Sequence, residues 1–409
     1  MHDDVDAAFA RAKDSGKVVF VDGWAPWCHT CLSMQRDVLQ DPALRSYEDR
    51  VVFAAVDTDK PAAAPFVARF PLKVWPTFFV IDPANDQVLA LHGGSLSWPE
   101  LRAFLDEALL SRDPARAADP QVKALLAGHQ ASTKKEHAAA AGFYVDAAGL
   151  PGSRSAEATI AAMRSYAAGN DDAGCITFGL RSLNTLQTSS SSSDLVAYLL
   201  SCAGHLKDGD PHKAPALTAA RARLEQLTTT TPAGASVDDR ADTLALLADA
   251  AKDQGDLAAH AAAHVKRLAL LEADANSHAD VDDARVHDYA RMNSYLALGR
   301  GDDAVNLLRK RTQQLPDSYE AWARLASALH QLKRHDEARP AAQRAIELSY
   351  GPRRLRYRTL LADIEQARTD PAGERAAVQA LVDDAASLPP GQRDDAAVDA
   401  ARQRLAGLP

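Results

Sequence analysis

Hydrophobic and polar positions change period repeatedly over the first 112 residues. Asp3 to Lys13 carries apolar residues at helical spacing and predicts a short amphipathic helix, while the apolar run inside Lys17 to Asp22 predicts a buried strand. Cys28 to Leu39 returns to helical spacing. Val51 to Asp57 predicts a second strand. Pro61 to Phe70 predicts a helix opening on proline, which is tolerated at a first helical position because the missing N–H would have no partner there. Thr77 to Ile81 and Gln87 to His92 predict a strand pair across Asp82-Pro83-Ala84-Asn85-Asp86. Trp98 to Leu110 then predicts a closing helix with Ser97 as its cap. Strands alternating with helices in this way predict an α/β unit.

From Asp113 onward the spacing is helical almost everywhere. It is broken by short Gly/Pro/Asp-rich stretches, by Gly149 to Ser153, and by Thr188 to Ser193, which reads as an exposed loop. The organisation predicted is an α/β domain over 1–112, a helical region of open subdivision over 113–235, and helical repeats over 236–409. Tyr295, Gly299, Ala304, Leu308 and Pro316 form one set of packing positions. Trp322, Leu325, Ala326, Leu329, Ala338, Ala342 and Ala345 form the next. Ala304 and Ala338 stand 34 residues apart, and the two sets resemble tetratricopeptide repeats. The second set lacks the terminal proline, having Tyr350-Gly351-Pro352 instead. Gly255-Asp256-Leu257-Ala258-Ala259 resembles the same inter-helix turn, although 45 residues separate Ala259 from Ala304, and a degenerate unit is read around Gly373 to Leu388. Stacked helical pairs of this kind fit either a plain solenoid or a concave surface that holds another protein.

A chain of 409 residues exceeds what one core supports, so two or more folded units are expected. Hydrophobic residues at 46% and charged residues at 25% describe a folded chain, not a disordered one. A net charge of −9 gives no support to nucleic acid or an anionic membrane surface as partner. No apolar run approaches the roughly 20 residues needed to span a bilayer. The opening Met1-His2-Asp3-Asp4 shows no basic and apolar leader. The expected compartment is the bacterial periplasm if a signal has been removed, and the cytoplasm otherwise.

The chemistry lies in Cys28-His29-Thr30-Cys31, which follows the apolar run Val18-Val19-Phe20-Val21 and opens a helix. Unpaired N–H groups and the helix dipole at such a position favour a thiolate on Cys28, below the ordinary cysteine value of about 8.5. Cys28 is therefore the expected nucleophile. Cys31, almost one turn later, is the expected resolving thiol. His29 can support the Cys28 thiolate by its positive charge or by a hydrogen bond. A Cys-x-x-Cys pair can also hold metal, but a second ligand pair is missing and neither His29 nor His92 has metal-site spacing, so no metal and no dissociable cofactor is expected. Cys175 and Cys202 read as buried free thiols, with a disulfide between them as the alternative that would indicate an oxidising compartment.

Trp24-Ala25-Pro26-Trp27-Cys28-His29-Thr30-Cys31 resembles the active-site segment of the thioredoxin superfamily. The fold implied by the resemblance is a mixed central sheet flanked by helices. The same resemblance makes Asp22 the buried acid that moves a proton to and from Cys31, and Trp24 and Trp27 the flanking aromatics. It makes Trp75-Pro76-Thr77 the cis-proline loop facing the dithiol, and Gly93 or Gly94 the later close-approach glycine. It further implies that the Trp75 backbone pairs with an extended substrate strand, and that Trp27, His29, Thr30 and Trp75 shape the substrate surface. His29-Thr30 replaces the Gly-Pro of ordinary thioredoxin, and Phe53 stands where the family has a lysine. With Met34 and the early helix, the sequence is most similar to thioredoxin-like domains of thiol:disulfide interchange proteins. The activity implied is reduction or exchange of disulfides in protein partners recruited by the helical region, with electrons supplied by an upstream dithiol protein or a small thiol. The alternative is a redox-regulated chaperone or scaffold that holds client proteins.

Overall fold

The computed structural model describes residues 1–186 and 191–408. The chain forms two compact units, one drawn from residues 1–24, 28–56 and 72–270 and the other from 25–27, 57–71 and 271–409.

In chain order the N-terminal elements are α1 (Val5–Ser15), β1 (Val18–Trp24), α2 (His29–Asp37), β2 (Val51–Asp57), α3 (Ala64–Arg69), β3 (Thr77–Asp82), β4 (Gln87–Gly93) and α4 (Trp98–Leu110). The ends of α1 follow local chemistry. Asp4 accepts a bond from Ala7 N at 3.0 Å, and Gly16 supplies the left-handed residue at φ +68° that lets the chain turn into β1. The strands make one four-stranded sheet in the order β2-β1-β3-β4. β1 runs antiparallel to β3 with Asp22 opposite Phe78, and β3 runs antiparallel to β4 with Thr77 opposite Gly93. This register sends Phe20, Phe78, Val80 and Leu89 into a core closed by Leu101 and Leu105 of α4. Each such side chain contributes about 1.5–3 kcal/mol through burial. Glu100 reciprocates at the start of α4, accepting bonds from the Ser97 backbone N–H at 2.9 Å and the Ser97 hydroxyl at 2.6 Å.

The same unit continues through the helices Pro120–Thr133, His137–Gly149, Ser155–Ala168, Asp172–Ser182, Ser192–His205, Lys213–Thr229 and Val237–Asp253. Their shared core holds Leu125, Tyr144, Met163, Leu195, Leu199 and Leu224. Arg154 ties this helical part to the sheet. Its guanidinium is buried, donates to Glu157 at 2.7 and 2.8 Å, and also donates to the Leu89 carbonyl of β4 at 3.1 Å.

Two expectations are corrected here. Cys175 and Cys202 are not free thiols but a disulfide with Cα atoms 6.3 Å apart, because the neighbouring helices Asp172–Ser182 and Ser192–His205 pack their cysteine-bearing faces together. Of the segment read as an exposed loop, Thr188 to Ser190 lie outside the described residues, whereas Ser191, Ser192 and Ser193 are buried and Ser192 opens a helix. Polar composition suggested a loop; the apolar Leu195, Val196 and Leu199 that follow pull this serine run into the core.

The other unit takes in α3 from the N-terminal elements and carries Asp288–Ala297, Gly301–Gln314, Tyr319–Gln331, His335–Leu348, Gly351–Ala367, Pro371–Ser387 and Asp395–Ala406. Ala304, Leu308, Ala326, Ala338, Ala342 and Ala345 are all buried, so small side chains at this spacing allow neighbouring helices to close on one another. Gly299 turns the chain between two of the helices at φ +72°. Trp322 is half-buried and donates its indole N–H to the Pro316 carbonyl at 2.9 Å. Among the described residues no helix is long and apolar enough to cross a membrane.

Candidate active site

β1 ends at Trp24, the chain turns through Ala25 to Trp27, and α2 starts with Cys28 as its N-cap. That placement lets Cys28 Sγ accept a first-turn donor, the Cys31 backbone N–H, at 3.0 Å. Cys28 and Cys31 are joined as a disulfide with Cα atoms 5.2 Å apart, and their exposures are 5% and 1%. The Leu96 backbone N–H also approaches the Met34 sulfur at 3.4 Å, so the loop after β4 lies against the buried side of α2.

Asp22 sits in β1 at 3% exposure. Burial pushes its carboxyl up to about 7, against a smaller lowering effect of a hydrogen bond with Gln35, and Oδ1 has no hydrogen-bond partner among the described residues. A carboxyl in this state holds or releases a proton near neutrality.

The Trp75–Pro76 peptide is cis, Pro76 is buried, and the Pro76 carbonyl accepts the Gly94 N–H at 2.9 Å. Thr77, buried at the head of β3, donates its hydroxyl to the Val74 carbonyl at 2.5 Å. Trp24, Trp75 and Thr30 are half-buried. Gly93 and Gly94 admit side chains from the helices: a Cβ at Gly93 would lie 3.2 Å from Arg164 Nη1, and one at Gly94, where φ is +107°, would lie 2.7 Å from Asp194 Oδ2.

Trp27 precedes Cys28 in the chain but belongs to the second unit. There its indole N–H donates to Asp59 Oδ2 at 2.7 Å, and the Arg353 guanidinium lies 4.3 Å from its ring centroid. Arg353 also donates to the Tyr357 hydroxyl at 3.0 Å, and Tyr357 in turn donates to Glu320. Burial raises the Asp59 carboxyl to about 6 despite the bond from Trp27.

His29 departs most from the sequence reading. Its Nδ1 donates to Asp238 Oδ1 at 2.8 Å, and its Nε2 faces Asp242 Oδ2 at 3.9 Å. Both acids lie on the helix Val237–Asp253, and the spacing of four residues puts them on one face. Burial opposes charge on the ring, but the two carboxylates outweigh it and raise His29 to about 9. The ring is therefore an imidazolium at neutral pH whose N–H groups are directed at carboxylates. Next to this pair, the Ser95 hydroxyl donates to Asp239, which also accepts the Ser236 backbone N–H at 2.8 Å.

His29, Asp238 and Asp242 offer one ligand atom each within 4.8 Å of one another. Each ring nitrogen faces a different acid, so a metal on either nitrogen would meet only one of them without the ring turning. The arrangement suits the imidazolium itself as the cation. His92, the other histidine weighed as a ligand, is buried, lowered to about 4 by burial and then by Arg164, and directs Nε2 at the Ser95 carbonyl at 3.0 Å.

The sequence reading did not find Asp238, Asp239, Asp242, Arg164 or Asp194. Ser236-x-x-Asp239 is a legible helix start and Asp238/Asp242 a legible acidic face, but neither names its partner, Ser95 lying 144 residues before Asp239 and His29 209 residues before Asp238.

A Cys-x-x-Cys disulfide capping the helix after the first strand, in a domain that also carries a cis-proline at the head of β3, marks a thioredoxin-like domain, and the close disulfide is consistent with redox chemistry. Comparison with known proteins agrees. The family described as Thioredoxin-like matches residues 1–83, and that described as Tetratricopeptide repeat matches residues 295–364. The thioredoxin of Buchnera aphidicola subsp. Baizongia pistaciae is 30% identical over 94 residues, covering 23% of this chain and 80% of that protein. Thiol:disulfide interchange protein DsbD 1 of Pseudomonas aeruginosa is 30% identical over 121 residues, covering 29% of this chain but only 19% of that much longer protein. Through its N-terminal domain the chain belongs to the thioredoxin superfamily, and fused to that domain is a helical region with tetratricopeptide-like repeats. Two solved structures align weakly over 70% of the chain. They are the TPR2AB-domain:pHSP90-complex of yeast Sti1, at 14% identity, TM-score 0.27 and 98% of that chain, and the Assembly Chaperone of RpL4, at 15% identity, TM-score 0.32 and 97% of that chain.

Proposed function

We propose that the protein is a thiol:disulfide oxidoreductase acting on the disulfides of protein partners. The observation that carries this reading is the Cys28–Cys31 disulfide at the N-terminus of α2, with Cys28 Sγ accepting the Cys31 N–H. In the reduced enzyme the Cys28 thiolate attacks one sulfur of a partner disulfide, forming a mixed disulfide and releasing the other partner sulfur as a thiolate, which takes a proton. Cys31 passes its proton to Asp22 and attacks Cys28 Sγ. The second partner thiolate leaves, and the Cys28–Cys31 disulfide forms as two electrons pass to the partner. An upstream dithiol protein or small thiol returns those electrons, so no dissociable cofactor is required.

The division of labour proposed assigns exchange to residues 1–112 and recruitment of the partner to the helical regions 113–235 and 236–409. Trp75, Pro76, Thr77 and Gly93 shape the approach to the dithiol. The buried Cys175–Cys202 disulfide supports a compartment that oxidises thiols, such as a bacterial periplasm.

The tetratricopeptide match over residues 295–364 favours a second reading, a redox-regulated chaperone that holds client proteins. Insulin-disulfide reduction by wild type, C28S and C31S, run beside an aggregation-prevention assay, separates the two. Exchange requires Cys28, and C31S accumulates mixed disulfides. Holding without turnover survives the loss of both cysteines.

A further inference from the structure

His29 directly follows Cys28 in the chain, and the groups that set its charge come from elsewhere. Asp238 is 1% exposed, and one of its oxygens takes the His29 Nδ1 proton. Asp242 is shared, facing His29 Nε2 at 3.9 Å and Arg267 at 3.3 Å. Arg267, on the adjoining helix Leu257–Ser277, is itself anchored to the Ala241 carbonyl at 2.9 Å. The Thr30 hydroxyl also lies 3.5 Å from Nδ1. With the ring protonated, two cations face two carboxylates and the cluster is neutral. Take away the carboxylates, and burial together with the Arg267 charge leaves the ring no reason to keep its proton.

We propose that Asp238 and Asp242 are positioning residues for the dithiol: from the helical region they hold His29 as an imidazolium beside Cys28, and through that cation they favour the Cys28 thiolate. This rests on the reading of Cys28 as the attacking thiol. The coupling has a sign that can be checked. Acting directly, two carboxylates near a thiol disfavour its thiolate, so removing them would make Cys28 more acidic. Acting through His29, their removal discharges the ring and makes Cys28 less acidic. Under the indirect route the residue that follows Cys28 in the chain loses a full unit of charge, and the sign of the change in Cys28 acidity decides between the two.

The test uses the full-length reduced protein. Ring NMR signals follow His29, and the pH dependence of iodoacetamide alkylation at Cys28, read by mass spectrometry, follows the thiol. D238N, D242N, the double variant and D238E are compared in the wild-type and H29Q backgrounds. His29 in the wild type is expected to titrate near 9 and to fall to 6.5 or lower in the double variant. The Cys28 thiolate fraction near neutral pH should then drop by about tenfold, the equivalent of one pKa unit. D238E should restore part of the loss. In the H29Q background the same Asn changes should leave the thiolate fraction unchanged or increase it, a reversal that a merely structural role does not produce.

Wild-type His29 titrating at 6.5 or lower would overturn the proposal without any variant, so a misfolded D238N does not shelter it. A Cys28 thiolate fraction that rises or stays constant in folded D238N/D242N would also overturn it. So would stoichiometric Zn²⁺ binding lost in H29Q, which would make the cluster a metal site. Insulin reduction by the wild type, measured alongside, separates this from the functional reading: coupled titrations without turnover reject exchange activity only, and turnover without coupling rejects the positioning role only.

Discussion

His29 and Asp238, 209 residues apart in the chain, meet through a 2.8 Å hydrogen bond at the first residue of the active-site helix. The pairing makes one residue between the two cysteines answerable to a helix far along the sequence, and it has a measurable energetic signature. His29 is raised from 6.5 to about 9, so the folded protein binds that proton more tightly than the unfolded chain. The stabilisation is complete below about pH 6.5 and is lost as pH rises through about 9, and it amounts to on the order of 3 kcal/mol. Urea midpoints of wild type and H29Q should therefore differ at neutral pH and converge above about pH 9. A gap that stays constant across that window would contradict the ion pair.

Asp22 gives the opposite test of charge. Its carboxyl is raised from 3.8 to about 7 by burial, so the wild type loses stability as pH climbs from about 4 through 7. D22N is free of that loss and should be the more stable protein near pH 8, by on the order of 3–4 kcal/mol at most, with little advantage near pH 4. The same variant should release the mixed disulfide at least about tenfold more slowly near neutrality, because Cys31 loses its proton acceptor. Urea unfolding at the two pH values and single-turnover release from a trapped partner check the two halves.

The Cys175–Cys202 disulfide links residues 27 apart in sequence. Closing a loop of that length removes denatured-chain entropy worth about 3.5 kcal/mol. C175S/C202S should show a clearly lower Tm while its Cys28–Cys31 pair still turns over insulin at moderate temperature. Loss of turnover without any loss of stability would place these cysteines in the exchange chemistry instead.

Gly94 and Gly16 form a matched pair for separating backbone strain from packing. Both have positive φ, +107° and +68°, yet a Cβ at Gly16 meets nothing within 4 Å while one at Gly94 meets Asp194 Oδ2 at 2.7 Å. G16A should cost about 1 kcal/mol from backbone strain alone. G94A should cost about 1–3 kcal/mol more, since Asp194, a buried carboxyl pushed well above its usual range by burial and then by the neighbouring acids, must shift. Equal losses in the two variants would mean that the helix Ser192–His205 does not press on the loop after β4.

Local pattern carried the N-terminal domain well. Val51–Asp57 and Trp98–Leu110 have the bounds their periodicity predicts, and the other elements shift by a few residues at their ends. The dithiol at a helix start was legible because strand, turn and cap are all encoded within a dozen residues. Distant pairings were not. Nothing in Asp238 or Asp242 distinguishes them from a solvated acidic face until the fold brings His29 to them. Cys175 and Cys202 needed the packing of two helices before their geometry could be known. Ser192 and Ser193 misled because composition reports polarity, whereas burial there is imposed by the apolar residues that follow them.

The arginine clamp that joins Arg154 to the Leu89 carbonyl gives the attachment of the helices to the sheet a practical side. Trimming the chain to its thioredoxin-like portion would remove a guanidinium from a strand carbonyl and strip an imidazole of both its counter-ions in one cut. A reagent made that way would keep the Cys-His-Thr-Cys lettering and titrate as a different compound.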